Sequence, residues 1–83
     1  MTEEQAIEWI RKQVGEEYLD YVSVCVERTL WHYRKEPSVI IEFSAYIIME
    51  GNGNRNPCFS RSGRTIKQAA QKVVAAFKKE IAQ

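Results

Sequence analysis

Cysteine and histidine are scarce in this chain of 83 residues, and their scarcity excludes several kinds of site. The two cysteines, Cys25 and Cys58, are too few for a disulfide-stabilised miniprotein and lack the Cys-x-x-Cys spacing of a zinc site. We expect two reduced thiols, with a Cys25–Cys58 disulfide as the alternative. His32 is the single histidine, so a general base would have to be His32 or a carboxylate. The sequence therefore predicts a protein that is not an enzyme, with no catalytic residue, metal site or cofactor.

Long apolar runs and a targeting segment are also missing. No apolar run approaches the ~20 residues that a membrane-spanning helix needs. The acidic start MTEEQ lacks the basic and apolar regions of a secretory signal peptide, so we expect a cytoplasmic protein with no membrane partner. Apolar residues make up 45% of the chain, which is sufficient for one core, and the length predicts a single compact domain over residues 1–83.

Acidic residues are scarce in the C-terminal part of the chain. Residues 1–50 contain five basic and ten acidic residues, a net charge of −5, whereas residues 51–83 contain seven basic residues and one acidic residue, a net charge of +6. Such an asymmetry indicates either a polyanionic partner or self-association between unlike halves.

The first predicted element is a short helix. Thr2 and Gln5 fit a capping box, and Gly15 is typical of a left-handed C-terminal cap. Apolar residues recur between them at helical spacing, with Trp9 at the flank of the apolar face. That face comprises Ala6, Ile7, Ile10 and Val14.

Two antiparallel strands are predicted next. Valines alternate with polar residues in residues 22–27, which indicates a strand, with a helix over residues 22–33 as the alternative and a bulge expected near residues 28–30. Residues 38–50 alternate more regularly. A four-residue connection, residues 34–37, sets the predicted register of the two strands. The apolar pattern supports this register, because a slip by one residue would turn the valines to the wrong face. The predicted facing pairs are Leu30–Ile41, Val26–Ala45 and Val24–Ile47.

The glycine-rich stretch GNGNRNPCFSRSGRT contains a turn and a short strand. Asn52 and Gly53 form a dipeptide that favours a tight hairpin turn. Residues 58–62 are predicted to be a third, edge strand, which Pro57 suits because proline cannot donate to a ladder. The stretch matches neither the dinucleotide fingerprint nor the P-loop.

The last predicted element is an amphipathic helix. Thr65 and Gln68 fit a second capping box, and the free backbone N–H groups at this start favour an anion. Its apolar face comprises Ile66, Ala69, Ala70, Val73, Phe77 and Ile81. The predicted fold class is therefore α+β: helix, antiparallel β-hairpin plus short edge strand, helix (α-β-β-β-α), with both helices on one face of a small antiparallel sheet.

Two surfaces are candidates for binding. The outer face of the sheet carries apolar residues of the types that form hot spots and homodimer cores, unless a bend or a terminal segment covers it. The expected protein-interface residues are Trp31, Tyr33, Ile40, Tyr46 and Ile48. The basic half, unless it is simply solvated, offers cations to phosphates. The expected polyanion-binding residues are Arg55, Arg61, Arg64, Lys67, Lys72 and Lys78.

The functional prediction is a small non-catalytic protein-interaction module of the adaptor or inhibitor type that phages and other mobile elements carry. It would bind a protein partner or a second copy through the outer sheet face, with the basic helix as a second surface. The alternative is a nucleic-acid-associated protein that contacts phosphates without reading sequence. No small-molecule substrate is indicated.

The element order is also that of the double-stranded-RNA-binding domain, and SGRTIKQAAQKVVAAF resembles the closing helix of that family. The family's S-x-K-x-A pattern falls on Thr65, Lys67, Gln68 and Ala69. Ile66 and Ala70 replace the lysines that clamp phosphates in the family, and the G-P-x-H loop is absent. The resemblance therefore implies a shared topology, and we do not assign the chain to the family.

Overall fold

A computed structural model describes residues 1–32, 39–50 and 58–81. The order of elements is helix, three-stranded antiparallel sheet, helix, as the sequence predicts, and residues 22–32 form a strand, so the helical alternative is wrong. The elements are α1 (Glu3–Val14), a one-turn 3-10 helix (Leu19–Tyr21), β1 (Val22–His32), β2 (Val39–Met49), β3 (Cys58–Gly63) and α2 (Ile66–Glu80).

Helix α1 begins with the predicted capping box. The backbone N–H of Gln5 donates to the Thr2 hydroxyl at 3.1 Å, and the backbone N–H of Thr2 donates to the Gln5 side-chain oxygen at 2.9 Å. At the other end Gly15 has the expected positive φ of 95°, but its ψ of 150° is not that of a left-handed helix. The chain therefore leaves α1 extended and does not close a left-handed cap.

The sheet has the order β1-β2-β3, and its register is the predicted one. The facing pairs Leu30–Ile41, Val26–Ala45 and Val24–Ile47 are all present. Pairing of β1 with β2 runs without interruption from Val22–Met49 to His32–Val39, so the expected bulge near residues 28–30 is absent. The turn predictions for residues 34–37, Asn52-Gly53 and Pro57 lie outside the described residues.

Both helices pack on one face of the sheet, where they enclose the core. Phe77 of α2 is fully buried, and its ring meets those of Tyr18 and Phe59 edge to face, with both centroid distances at 5.6 Å. This geometry is the favourable one for aromatic pairs. The core comprises Ala6, Ile10, Val14, Ala45, Ile47, Phe59, Ala69, Ala70, Val73, Val74 and Phe77.

The helices cover only part of the length of the β1–β2 hairpin. Strands of 11 residues extend over roughly 36 Å, whereas a 12-residue helix is about 18 Å long. Both helices begin beside Arg28 and Phe43, around a depression that the ends of α1 and α2 share. Residues 29–32 and 39–42, which we call the distal hairpin, extend beyond them.

In the distal hairpin, two apolar residues that the register places on the helix-facing side are not buried. Leu30 and Ile41 face each other there, as predicted, but they are exposed because no helix lies over them. Strand β3 also stops short: its last residue, Gly63, pairs with Phe43. The distal hairpin is therefore a two-stranded ribbon.

The turn from β3 into α2 is tight. A Cβ atom on Gly63 would lie 2.8 Å from Cβ of Gln68 and 3.0 Å from the backbone N of Ala69, so a side chain does not fit there. The Thr65 hydroxyl accepts from the backbone N–H of Gln68 at 3.0 Å, as predicted. The Gln68 side chain, however, accepts from the N–H of Arg64 at 3.0 Å and not from that of Thr65, so only half of the predicted capping box forms.

Candidate functional site

The outer sheet face carries the predicted interface residues, separated into two groups. Trp31 pairs with Ile40 at the distal end, whereas Tyr46 and Ile48 pair with Cys25 and Ser23 near the other end. Tyr33 lies outside the described residues. The four residues between the two groups are polar: Glu27, Thr29, Glu42 and Ser44.

Hydrogen bonds hold this polar belt in place. The Tyr46 hydroxyl donates to Oε2 of Glu27 at 3.2 Å, and the hydroxyls of Ser44 and Ser62 lie 2.9 Å apart, with Ser44 buried. A partner covering the whole outer face would have to desolvate these groups. The apolar surface available at one place is therefore smaller than the sequence suggests.

The larger accessible apolar surface is on the distal hairpin. Leu30 is 56% exposed, Trp31 49% and Ile41 42%, and Ile40 beside them is half-buried. Leu30 and Ile41 point to one side of the ribbon and Trp31 and Ile40 to the other, so both sides are apolar. The sequence pattern places Leu30 and Ile41 on the core side, and their exposure is a correction to that expectation. The signal that could have found them was length, because the predicted helices are too short to cover the predicted strands.

The predicted polyanion-binding residues lie on two sides of α2. Lys78 donates to the Gln13 side chain of α1 at 3.3 Å, and Lys67 lies beside Met1 and Trp9. On the opposite side Lys72 donates from Nζ to the backbone oxygen of Ser62 at 3.2 Å. Arg61 and Arg64 belong to this second side, in β3 and directly after it. Arg55 lies outside the described residues.

The second side of α2 forms a groove with the distal hairpin. The groove has a volume of about 160 Å³ and combines apolar residues of β2 with the cations Arg64 and Lys72. Glu42 is the acidic residue in its lining, which leaves a net charge of +1. The lining comprises Ile40, Ile41, Glu42, Ser62, Gly63, Arg64, Gln68 and Lys72. The groove therefore brings together one predicted interface residue, Ile40, and two predicted phosphate-binding residues.

The cations of this side have no acidic partner in the described part of the chain. The ion pair found there joins Lys12 to Glu8 at 3.8 Å, one turn apart on α1. At the start of α2, by contrast, the Arg64 and Gln68 N–H groups are already bonded to side chains. The anion preference expected of this helix start is thus reduced, while the side-chain cations stay available.

The potentially reactive side chains do not converge. Cys25 and His32 lie seven residues apart on β1, roughly 23 Å along an extended strand. Cys25 and Cys58 lie on β1 and β3 with β2 between them, about 9.6 Å apart from strand spacing alone, which exceeds the ~7 Å limit for a disulfide. The Cys25–Cys58 disulfide within one chain is therefore wrong.

Among residues 1–32, 39–50 and 58–81, no three His, Cys, Asp or Glu side chains are grouped so as to hold a metal ion. None of the helices described in the structure has the length and apolar character of a membrane span. No protein family, curated protein or solved structure matches the chain significantly.

Proposed function

We propose that this protein is a small non-catalytic interaction module that binds another protein through its distal hairpin. The observation that carries the proposal is the exposure of Leu30, Trp31 and Ile41 at neighbouring positions of one ribbon. Single exposed apolar side chains are common on proteins, whereas apolar pairs on both sides of one short ribbon, Leu30 with Ile41 and Trp31 with Ile40, favour an interaction site.

Burial of Trp31 by a partner would contribute measurably to affinity. At 49% exposure Trp31 leaves roughly 100 Å² in water, since an aromatic side chain can bury about 150–250 Å². Covering that area contributes roughly 2 kcal/mol, or about thirtyfold in affinity. Tryptophan is also a residue type that dominates binding energy at protein interfaces.

A matched pair of variants tests the proposal. Trp31→Ser removes the distal aromatic group, and Tyr21→Ser removes an aromatic group of 56% exposure at the other end of the sheet. Each protein is immobilised, incubated with cell lysate and analysed by quantitative mass spectrometry, and its mass in solution is measured by light scattering. We expect partners, or a dimer, that Trp31→Ser loses at least tenfold and Tyr21→Ser retains. Equal retention by both variants would contradict the proposal.

A second function, phosphate binding by the basic half, is favoured by the unpaired cations beside β3. In the described residues no acidic side chain lies within 4.0 Å of a lysine or arginine of that side. If the protein binds a labelled mixed-sequence duplex, affinity should fall with salt. Replacing one cation of that side, in Lys72→Gln, should reduce the slope of log K against log salt by about 0.9. Binding that ignores salt would exclude this function.

A further inference from the structure

Strand β2 has an open edge next to the groove. β2 begins at Val39, whereas the partner β3 ends opposite Phe43, so among the described strands residues 39–42 pair with β1 and not with β3. In the described residues, no backbone hydrogen bond from another segment reaches residues 39–42. These residues extend over roughly 13 Å. Alternate residues of a strand direct their N–H and C=O groups to the same edge, so this edge carries unpaired donors and acceptors.

The edge is open because the chain must turn away at Gly63. The close approach to Gln68 and the cap on Thr65 direct the chain out of the sheet and into α2. The line that β3 would have followed is thus vacant, with β2 on one side and the first turns of α2 on the other. An added strand there would continue the line of β3.

The two faces of this vacant line differ in chemistry. On the helix-facing side, the contact of Lys72 with the backbone oxygen of Ser62 holds its ammonium group at the groove, and Arg64 is a second cation in the groove lining. The outer side has Ile40 and, two residues further, Glu42. The side chains of a strand alternate between faces, so one residue of an added strand would lie near the cations and the next near apolar side chains.

We propose that an extended acidic peptide of a partner protein binds here by adding a strand to residues 39–42 of β2. The residue opposite Ile41 is an aspartate or glutamate whose carboxylate pairs with Arg64 and Lys72. The residue opposite Ile40 is apolar and contacts Ile40, while the residue opposite Glu42 is not acidic. The main-chain bonds supply affinity and the alternating side chains supply specificity. This inference rests on the proposed function, because it names the partner chemistry of the distal hairpin.

The test is an array of random eight-residue peptides probed with the labelled full-length protein, followed by fluorescence anisotropy of the selected peptides. We expect selection of an acidic residue adjacent to an apolar one. Arg64→Gln and Lys72→Gln should each weaken binding about tenfold, because each removes a charge-assisted hydrogen bond. The matched control Arg11→Gln, Lys12→Gln removes two exposed cations of α1, outside the groove lining, and should bind normally. Thermal unfolding of each variant checks its fold.

A second measurement separates strand addition from simple charge attraction. Two forms of a selected peptide are made, one N-methylated at the odd-numbered backbone amides and one at the even-numbered amides, and only one of the two methylated phases should lose binding. In NMR spectra of the protein, the backbone amide signals of residues 39–42 should shift when the unmethylated peptide is added. Selection without acidic residues, equal weakening by the control, or loss of binding in neither methylated phase would overturn the inference. If the array fails while Trp31→Ser still loses a partner or dimer, strand addition is wrong and the proposed function stands. If the array selects no peptide and Trp31→Ser loses no partner or dimer, both strand addition and the proposed function are wrong.

Discussion

Substitution of Phe77 tests the arrangement of the core more sharply than any other single change. The ring is fully buried, and it contacts Tyr18, in the segment between α1 and β1, and Phe59 of β3. Phe77 therefore connects α2 both to the first half of the chain and to the edge strand. Losing it should affect the whole domain and not one helix.

The expected cost follows from these contacts. Phe77→Ala leaves a cavity and should lower the free energy of unfolding by about 3–5 kcal/mol. Phe77→Leu keeps most of the apolar volume but removes two aromatic pairs of about 0.5–1.5 kcal/mol each, so it should cost about 1–3 kcal/mol. The whole domain is stabilised by about 4–12 kcal/mol for a chain of 83 residues, so the alanine variant should lose at least about a quarter of its stability.

Urea unfolding followed by circular dichroism measures these differences. Gln71→Ala, on the exposed side of the same helix, is the control and should change stability by less than about 0.5 kcal/mol. In a thermal melt, each kcal/mol should appear as about 4–8 °C. A loss below about 1 kcal/mol for Phe77→Ala would refute the packing of α2 on the sheet, because a fully buried phenylalanine cannot be removed at so small a cost.

Two further changes test the β3–α2 junction and the sheet order. Gly63→Ala should cost about 1–3 kcal/mol in the same urea assay, because the new Cβ would lie 2.8 Å from that of Gln68; an unchanged midpoint would mean that the turn is looser than described. Under mild oxidation the monomer should keep both thiols free, and any disulfide should join two chains through the exposed Cys58; a monomer lighter by two hydrogens in mass spectrometry would contradict the β1-β2-β3 order.

The structure groups the candidate binding residues differently from the sequence. The sequence points to an apolar sheet face and a basic helix as separate surfaces. In the fold, a polar belt divides the sheet face, and the basic residues separate onto two sides of α2. What the fold brings together is Ile40, Arg64 and Lys72, at the groove beside the distal hairpin.

Local features were predictable from the sequence because short-range physics decides them. The capping box of Thr2 and Gln5 depends on residues three positions apart, and the strand assignment depends on alternation within a few residues. The register was also predictable, since a four-residue connection sets the alignment and a slip by one residue would place Val24 and Val26 on the opposite side from Ala45 and Ile47. These features determined the order of elements and most of the core.

The tertiary structure decided which part of the hairpin the helices cover and which distant residues lie close together. Whether Leu30 is buried depends on where α1 and α2 begin relative to the end of the hairpin, and hydrophobic pattern contains no information on that alignment. The groove depends on where β3 leaves the sheet, which the contact between Gly63 and Gln68 sets. A strand rises about 3.3 Å per residue and a helix about 1.5 Å, so short helices packed on long strands leave one end of the ribbon exposed, and packing alone selects which end.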